Sequence, residues 1–404
     1  MNNIEKYIKE NTQSCVRENR FDDGTLLGIP YPYIVPSAEA FHELYYWDTY
    51  FTNLWLLKDI PVLAKHNIDN MLYLVNKYGF MPNGTRTFYL NRSQPPFLSE
   101  AVKDVYEHYR DTVWLCGAYL TLEKEYEFWM ENRCSFIGLN CYAPNVSQED
   151  VDKFAEEFNQ RVGDVLDAPK EQIAAHYLSS CESGWDINPR WDFEGQNFAQ
   201  VDLNSLLFGM ENNMAYFSEL LGRFNDTAKW KYRAGKRLEL MNKYMLTDDN
   251  LFLDYNFKNG RKSSVFSVAS FFPLYAKVAT VEQAEAAVKN LPRLEAEYGI
   301  VTCEKENRDI AYQWDYPNGW ACLQYIVISG LAHYGYLTES LRIAEKFVNL
   351  VEAVFEQTGH LWEKYNVVEG NINVNNEYKM PTMLGWSAGV YLSIKDFIKT
   401  AHKK

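Results

Sequence analysis

Three stretches of this chain repeat one pattern, apolar residues at helical spacing with a stop or cap residue at one end, and that pattern restricts it to packed helices. From Ile60, residues Leu63, Ala64, Ile68, Met71, Leu72 and Val75 trace one face before Gly79. From Leu206 the same spacing carries Met210, Met214, Phe217 and Leu221 up to Gly222. A third helix is expected to start at Thr338, an N-cap with Glu339 in its first turn, and to run through Leu341, Ala344, Val348, Val351 and Phe355. Residues three and four apart share a helix face, so each stretch has one side to bury and one to leave in water. Many such helices joined as hairpins predict an all-α closed toroid or an α-solenoid. No fixed-period repeat runs through the chain, which weighs against a consensus solenoid. About ten to twelve helices fit the length at roughly 30 residues per helix and loop. Strand-like runs are short; 266–272 is one, and it reads equally as the start of a helix.

No Ser/Gly/Pro linker or composition break divides the sequence, so residues 1–404 are expected to form a single domain. The acidic, weakly patterned segment 134–169 is the exception, and is expected to be a lid-like insertion. The net charge of −14 excludes a nucleic-acid partner, because a polyanion is repelled without a concentrated basic face and Lys403-Lys404 is too short to supply one. No apolar run approaches the ~18 residues of a spanning helix, so no membrane partner is expected. Residues 1–15 mix charge and amide with no apolar core, so no secretory leader is read there. The seven cysteines are odd in number, irregularly spaced and without a CxxC. They read as free packing thiols of a reducing cytoplasm, not as zinc ligands or a disulfide framework.

Four loop motifs pair acids with tryptophan or tyrosine: 42–51 around Trp47-Asp48, 182–192 around Trp185-Asp186, 313–320 around Trp314-Asp315, and Trp362-Glu363-Lys364-Tyr365 followed by Glu377-Tyr378. One Trp-Asp pair often just sets an indole in a core and an Asp at a helix cap. Four of them on loops between amphipathic helices indicate a shared ligand site. Aromatic faces stack on the C–H faces of sugars, and 16% of the chain is aromatic. Glycoside hydrolysis needs one carboxylic acid to protonate the leaving oxygen and a second carboxylate as base or nucleophile. Burial against indole keeps a carboxyl protonated near neutral pH, so Asp186, between Trp185 and Ile187, is a candidate acid. Glu363 has an ammonium beside it in Lys364, which suits a base.

These segments together resemble the trehalase family of glycoside hydrolases. Its members carry an aromatic-rich stretch ending Trp-Asp-x-Tyr-Phe, as at Trp47 to Phe51. They also carry PNG-x-R followed by RSQPP, SGWD followed by a polar pair and Arg-Trp, then QWD-x-PNGW and EKY, all present here in family order between about 28 and 393. The stretch Val201-Asp202-Leu203-Asn204 with Leu206-Leu207 also fits. The resemblance implies an (α/α)6 toroid and inverting hydrolysis of a small α-linked glucoside, a trehalose-like disaccharide first, with Asp186 as acid and Glu363 as base. It implies that Trp47, Asp48, Asn83, Arg92, Trp314, Asp315 and Glu377 line the sugar site, Trp185 with them, and it implies no metal or organic cofactor.

The sequence departs from the family pattern in three places. Where the family has Gly-Gly-Arg-Phe this chain reads Ala38-Glu39-Ala40-Phe41, so an arginine is replaced by Ala40. The family's Arg-Pro-Glu-Ser-Tyr is lost near Asn145 to Asp150, and the glycine run before the late Glu-Tyr becomes Gly370 to Asn376. Shorter glucosyl- or mannosylglycerate hydrolases have a similar length and give the alternative substrate. A sugar epimerase on the same fold would rely on histidine, and the seven histidines form no paired motif. A sugar-binding protein without activity has no use for the pair Asp186 and Glu363.

Overall fold

The computed structural model describes residues 2–163 and 167–403. Six helices form an inner ring: Tyr46–Asp59, Leu98–Tyr109, Val201–Leu220, Phe272–Tyr275, Ala321–His333 and Gly385–Ala401. Each packs on the next, and the last returns to the first. Around them stand Asn3–Thr12, Pro61–Tyr78, Thr112–Asn132, Phe224–Tyr244, Val281–Asn290 and Leu337–Thr358. This closed double ring is the (α/α)6 toroid. Two further helices, Val151–Val162 and Lys170–Ser183, pack on each other as an added hairpin, so the described residues hold fourteen helices rather than ten to twelve.

Inner and outer helices differ in sequence because they differ in surroundings. Leu337–Thr358 buries Ser340, Ile343, Ala344, Phe347, Val348, Leu350, Val351 and Val354, a one-sided stripe that periodicity reveals. Val201–Leu220 is covered on every side and buries Val201 through Leu207 without a break, Asp202, Asn204 and Ser205 among them. Its start therefore lies before the expected Leu206, hidden by buried polar residues. The helix expected from Ile60 runs Pro61–Tyr78, with proline at its first position and Gly79 ending it at φ 84°. The third starts at Leu337 with Tyr336 as cap residue, not at Thr338. Residues 266–272 turn as a 3₁₀ segment, Val268–Phe271, into the helix Phe272–Tyr275.

The ring closes through Gly389, where a β-carbon would overlap the carbonyl oxygen of Phe51. One hydrophobic core takes residues from Ile4 to Ile394, and a smaller one joins Phe154 and Phe158 to Ile173, Tyr177 and Leu178 across the added hairpin. Within 134–169, residues Leu139, Asn140 and Tyr142 are buried in the body, while Val151–Val162 belongs to the hairpin; residues 164–166 of that segment lie outside the described residues. A short antiparallel pair, Asn318–Trp320 with Lys364–Asn366, sets two of the loop motifs side by side with Trp320 opposite Lys364.

Candidate active site

At one end of the ring a cavity of about 250 Å³ is lined by Trp47, Asp48, Asn83, Arg92, Asp186, Trp314 and Glu363, among others. Trp47 and Asp48 lie in the first turn of an inner helix, and Trp320 and Trp386 stand at the starts of two more. Asp186 enters because Lys170–Ser183 stops at Gly184, whose φ of 74° is the left-handed region glycine tolerates. A β-carbon there would lie 2.8 Å from the Trp47 indole. Burial pushes the Asp186 carboxyl up to about 6, opposed by Arg161 and Arg92 and aided by Glu363.

Glu363 is buried, and each of its carboxylate oxygens accepts one hydrogen bond. Tyr378 donates to Oε1 at 2.6 Å and Lys364 Nζ to Oε2 at 2.8 Å, while the same Nζ donates to Gln313 Oε1 at 3.0 Å. Trp386 Nε1 holds the Glu363 carbonyl at 2.9 Å. Burial, with Glu363 and Asp186 nearby, raises Asp48 to about 8. The cavity thus contains two carboxyls, Asp186 and Asp48, that burial pushes toward the protonated form, and a third, Glu363, whose oxygens are each held by a donor.

Indoles form one wall. Trp314 stacks on Trp320 at 3.7 Å and 2°, and on its other side meets Trp185 at 5.7 Å and 23°. Arg190 caps this stack 4.3 Å over Trp185, and Lys364 caps it 4.8 Å over Trp320. Arg190 is itself buried and paired with Asp202 at 2.6 Å and Asp254 at 2.9 Å. Trp185 therefore backs Trp314 and is not part of the lining. Asp315 also stands outside it, paired with Arg308 at 3.1 Å. Glu377 too is absent from the lining, its side chain buried beside Asp186; its Oε2 accepts from Arg161 Nη1 at 2.9 Å, and Oε1 has no hydrogen-bond partner among the described residues. Burial first, then Asp186, raises its carboxyl to about 8. Asn83 Nδ2 is spent on the carbonyls of Ser93 and Cys181, both at 3.2 Å. Arg92 lies over Phe88 at 4.6 Å and Tyr89 at 4.9 Å, and its buried Nε has no partner. Ala40 is exposed and away from the lining; Phe41 forms that rim, edge-on to Tyr45 at 5.8 Å and Tyr378 at 6.4 Å.

Sequence reasoning missed Tyr378, Gln94, Gln313, Tyr177, Glu157 and Arg161, all of which line the cavity. Gln94 sits inside RSQPP and Gln313 opens QWD, so the motifs held them unremarked. Glu157 and Arg161 belong to the segment read as weakly patterned, although Val151, Phe154, Ala155 and Phe158 carry a helical stripe. Among the described residues no group of three or more His, Cys, Asp or Glu is placed to hold a metal ion.

A family model described as Trehalase matches residues 1–399. The chain belongs to the trehalase family. It is a glycoside hydrolase. A periplasmic trehalase of Xanthomonas axonopodis pv. citri (strain 306) is 30% identical, the match covering 92% of this chain and 68% of that one. Neutral trehalase Nth1 from Saccharomyces cerevisiae superposes with a TM-score of 0.78 at 31% identity, over 92% of this chain and 74% of the yeast chain. A GH63 mannosylglycerate hydrolase from Thermus thermophilus, solved with glucose, shares the fold at TM-score 0.68 and 16% identity, over 96% and 99% of the two chains.

The periplasmic relative in the trehalase family corrects one expectation, the cytoplasmic location. That expectation leaned on free cysteines, and Cys15, Cys141, Cys181, Cys303 and Cys322 are buried packing groups that report nothing about the compartment's redox state. Among the described residues no helix is long and apolar enough to cross a membrane.

Proposed function

We propose that this protein hydrolyses α,α-trehalose, or a closely similar small α-glucoside, by a single inverting displacement. Asp186 is the general acid that protonates the leaving oxygen, and Glu363 is the base that takes a proton from the attacking water. The observation that carries this reading is that both carboxyls line one cavity in unlike settings. Burial raises Asp186 to about 6, whereas Glu363 is gripped by Tyr378 and Lys364. Environments that set two carboxyls apart mark an acid and a base. Inversion needs room for a water between base and sugar, which corresponds to carboxyls roughly 6.5–9.5 Å apart.

Trp47 offers its indole and Trp314, stacked between Trp320 and Trp185, its edge to the sugar ring, while Asp48, Asn83 and Arg92 offer polar groups to its hydroxyls and Glu377 acts through Arg161. Trp185 and Asp315 act behind this layer, through Trp314 and Arg308. Residues 1–404 are read as a single catalytic domain, because one core spans Ile4 to Ile394. The reading needs no cofactor and no nucleic-acid partner.

The test is a panel of α-glucosides and α-mannosides, with glycosylglycerates included, assayed for released hexose and followed by proton NMR. Cleavage of trehalose with β-glucose as the first anomer released is expected. Initial α-glucose overturns inversion, and turnover of glycosylglycerates alone overturns the substrate.

A further inference from the structure

The added hairpin reaches into the sugar cavity. Its first helix, Val151–Val162, buries Val151, Phe154, Ala155 and Phe158 against Lys170–Ser183. Glu157 and Arg161, four residues apart and so on one face, are turned to the cavity and line it. Arg161 lies 5.6 Å over the ring of Tyr177, another lining residue, and Nη1 donates to the buried Glu377 at 2.9 Å. Its side chain is one-third exposed. Only Nη1 of its guanidinium is engaged by a hydrogen bond among the described residues, so further donors face the opening.

The side of the site that Arg161 serves follows from its neighbours. Arg161 touches Tyr177 and Glu377, and its charge is the largest one acting on Asp186, which makes it a neighbour of the acid. In a single displacement, water arrives on the base's side of the sugar and the leaving group departs on the acid's side. A donor beside the acid, at the cavity mouth, therefore meets the leaving half of the substrate. The helix comes directly after 145–150, where the sequence departs from the family pattern.

We propose that Arg161, seconded by Glu157, is a specificity-determining residue that binds the leaving sugar, so that the added hairpin builds the leaving-group half of the site. Its hydroxylated partner is an uncharged sugar ring, held by charge-assisted donation from Arg161 and by acceptance at Glu157. The inference rests on the reading of Asp186 as the acid.

Two substrates separate the halves of the site: trehalose, whose leaving group is a whole glucose, and α-glucosyl fluoride, whose leaving group is one atom. The ratio of kcat/KM for trehalose to that for α-glucosyl fluoride is expected to fall about 10- to 100-fold in Arg161→Gln, the loss of one charge-assisted bond. The fall should lie mostly in KM, with Arg161→Lys recovering part of it and Glu157→Gln showing a smaller change of the same sign. An unchanged ratio, whether both activities hold or both collapse together, overturns the proposal. Should the unaltered protein cleave α-glucosyl fluoride but not trehalose, the trehalose reading fails. The same ratio, taken with whichever panel glycoside is cleaved, then still decides the role of Arg161.

Discussion

Tyr378 donates its phenolic proton to Oε1 of Glu363 at 2.6 Å. With Lys364 holding the other oxygen at 2.8 Å, the carboxylate has one orientation, and a water delivered to it meets a fixed acceptor. Tyr378 reaches it from the loop that also carries Glu377, so one stretch of chain orients the Glu363 carboxylate and contributes to the surroundings of Asp186.

Tyr378→Phe should lower kcat about 10- to 100-fold with little change in KM. A hydrogen bond to a charged group contributes about 1.5–3 kcal/mol, and this one orients a reacting group rather than the sugar. Steady-state kinetics on the cleaved disaccharide checks it.

Asp186→Asn and Glu363→Gln should each reduce disaccharide turnover by about 10²- to 10⁴-fold, the usual contribution of a positioned acid or base, with circular dichroism unchanged. They should differ on α-glucosyl fluoride, whose leaving group needs no proton. Asp186→Asn is expected to keep much of that activity, and Glu363→Gln to lose it. Equal losses on both substrates argue against this division of roles.

The alkaline limb of kcat/KM should report Asp186. Its carboxyl is raised to about 6, and an acid works only while protonated, so activity should fall as pH rises beyond that value. Arg161 pulls Asp186 down, so Arg161→Gln should move the limb to higher pH. A limb that stays in place, or moves down, contradicts the assignment.

Arg190→Met should destabilise the fold by about 3–5 kcal/mol in equilibrium denaturation. It leaves the buried carboxylates of Asp202 and Asp254 without their cation. Tryptophan fluorescence should change with it, because the guanidinium also caps Trp185. Near-normal stability would mean the two acids had taken up protons at little cost.

The sequence was legible where chemistry is contiguous. SGWD and EKY set an acid directly beside a tryptophan or a lysine, so Asp186 and Glu363 were readable as candidates from their immediate neighbours, whereas Arg92 came from the family resemblance. Outer helices such as Leu337–Thr358 were readable for the same local reason, a stripe facing one way. Inner helices blur that signal, as Val201–Leu220 shows, because burial on all sides leaves no periodic contrast. Asp315 and Trp185 belong to the lining in what the family resemblance implies, but not in the structure. Arg308 draws the former aside and Arg190 covers the latter, and both partners are fixed by folding. Arg161 was hidden differently: an exposed arginine on an acidic helix looks like a solvated face until the hairpin docks.

The closing contact at Gly389 has a consequence for synthesis. The first inner helix, Tyr46–Asp59, waits for the last, Gly385–Ala401, and until that helix leaves the ribosome the nascent chain has an open arc of hairpins with unmatched apolar edges. A protein built this way keeps those edges unmatched until Gly385–Ala401 arrives, and its chemistry waits for that helix to seal the annulus.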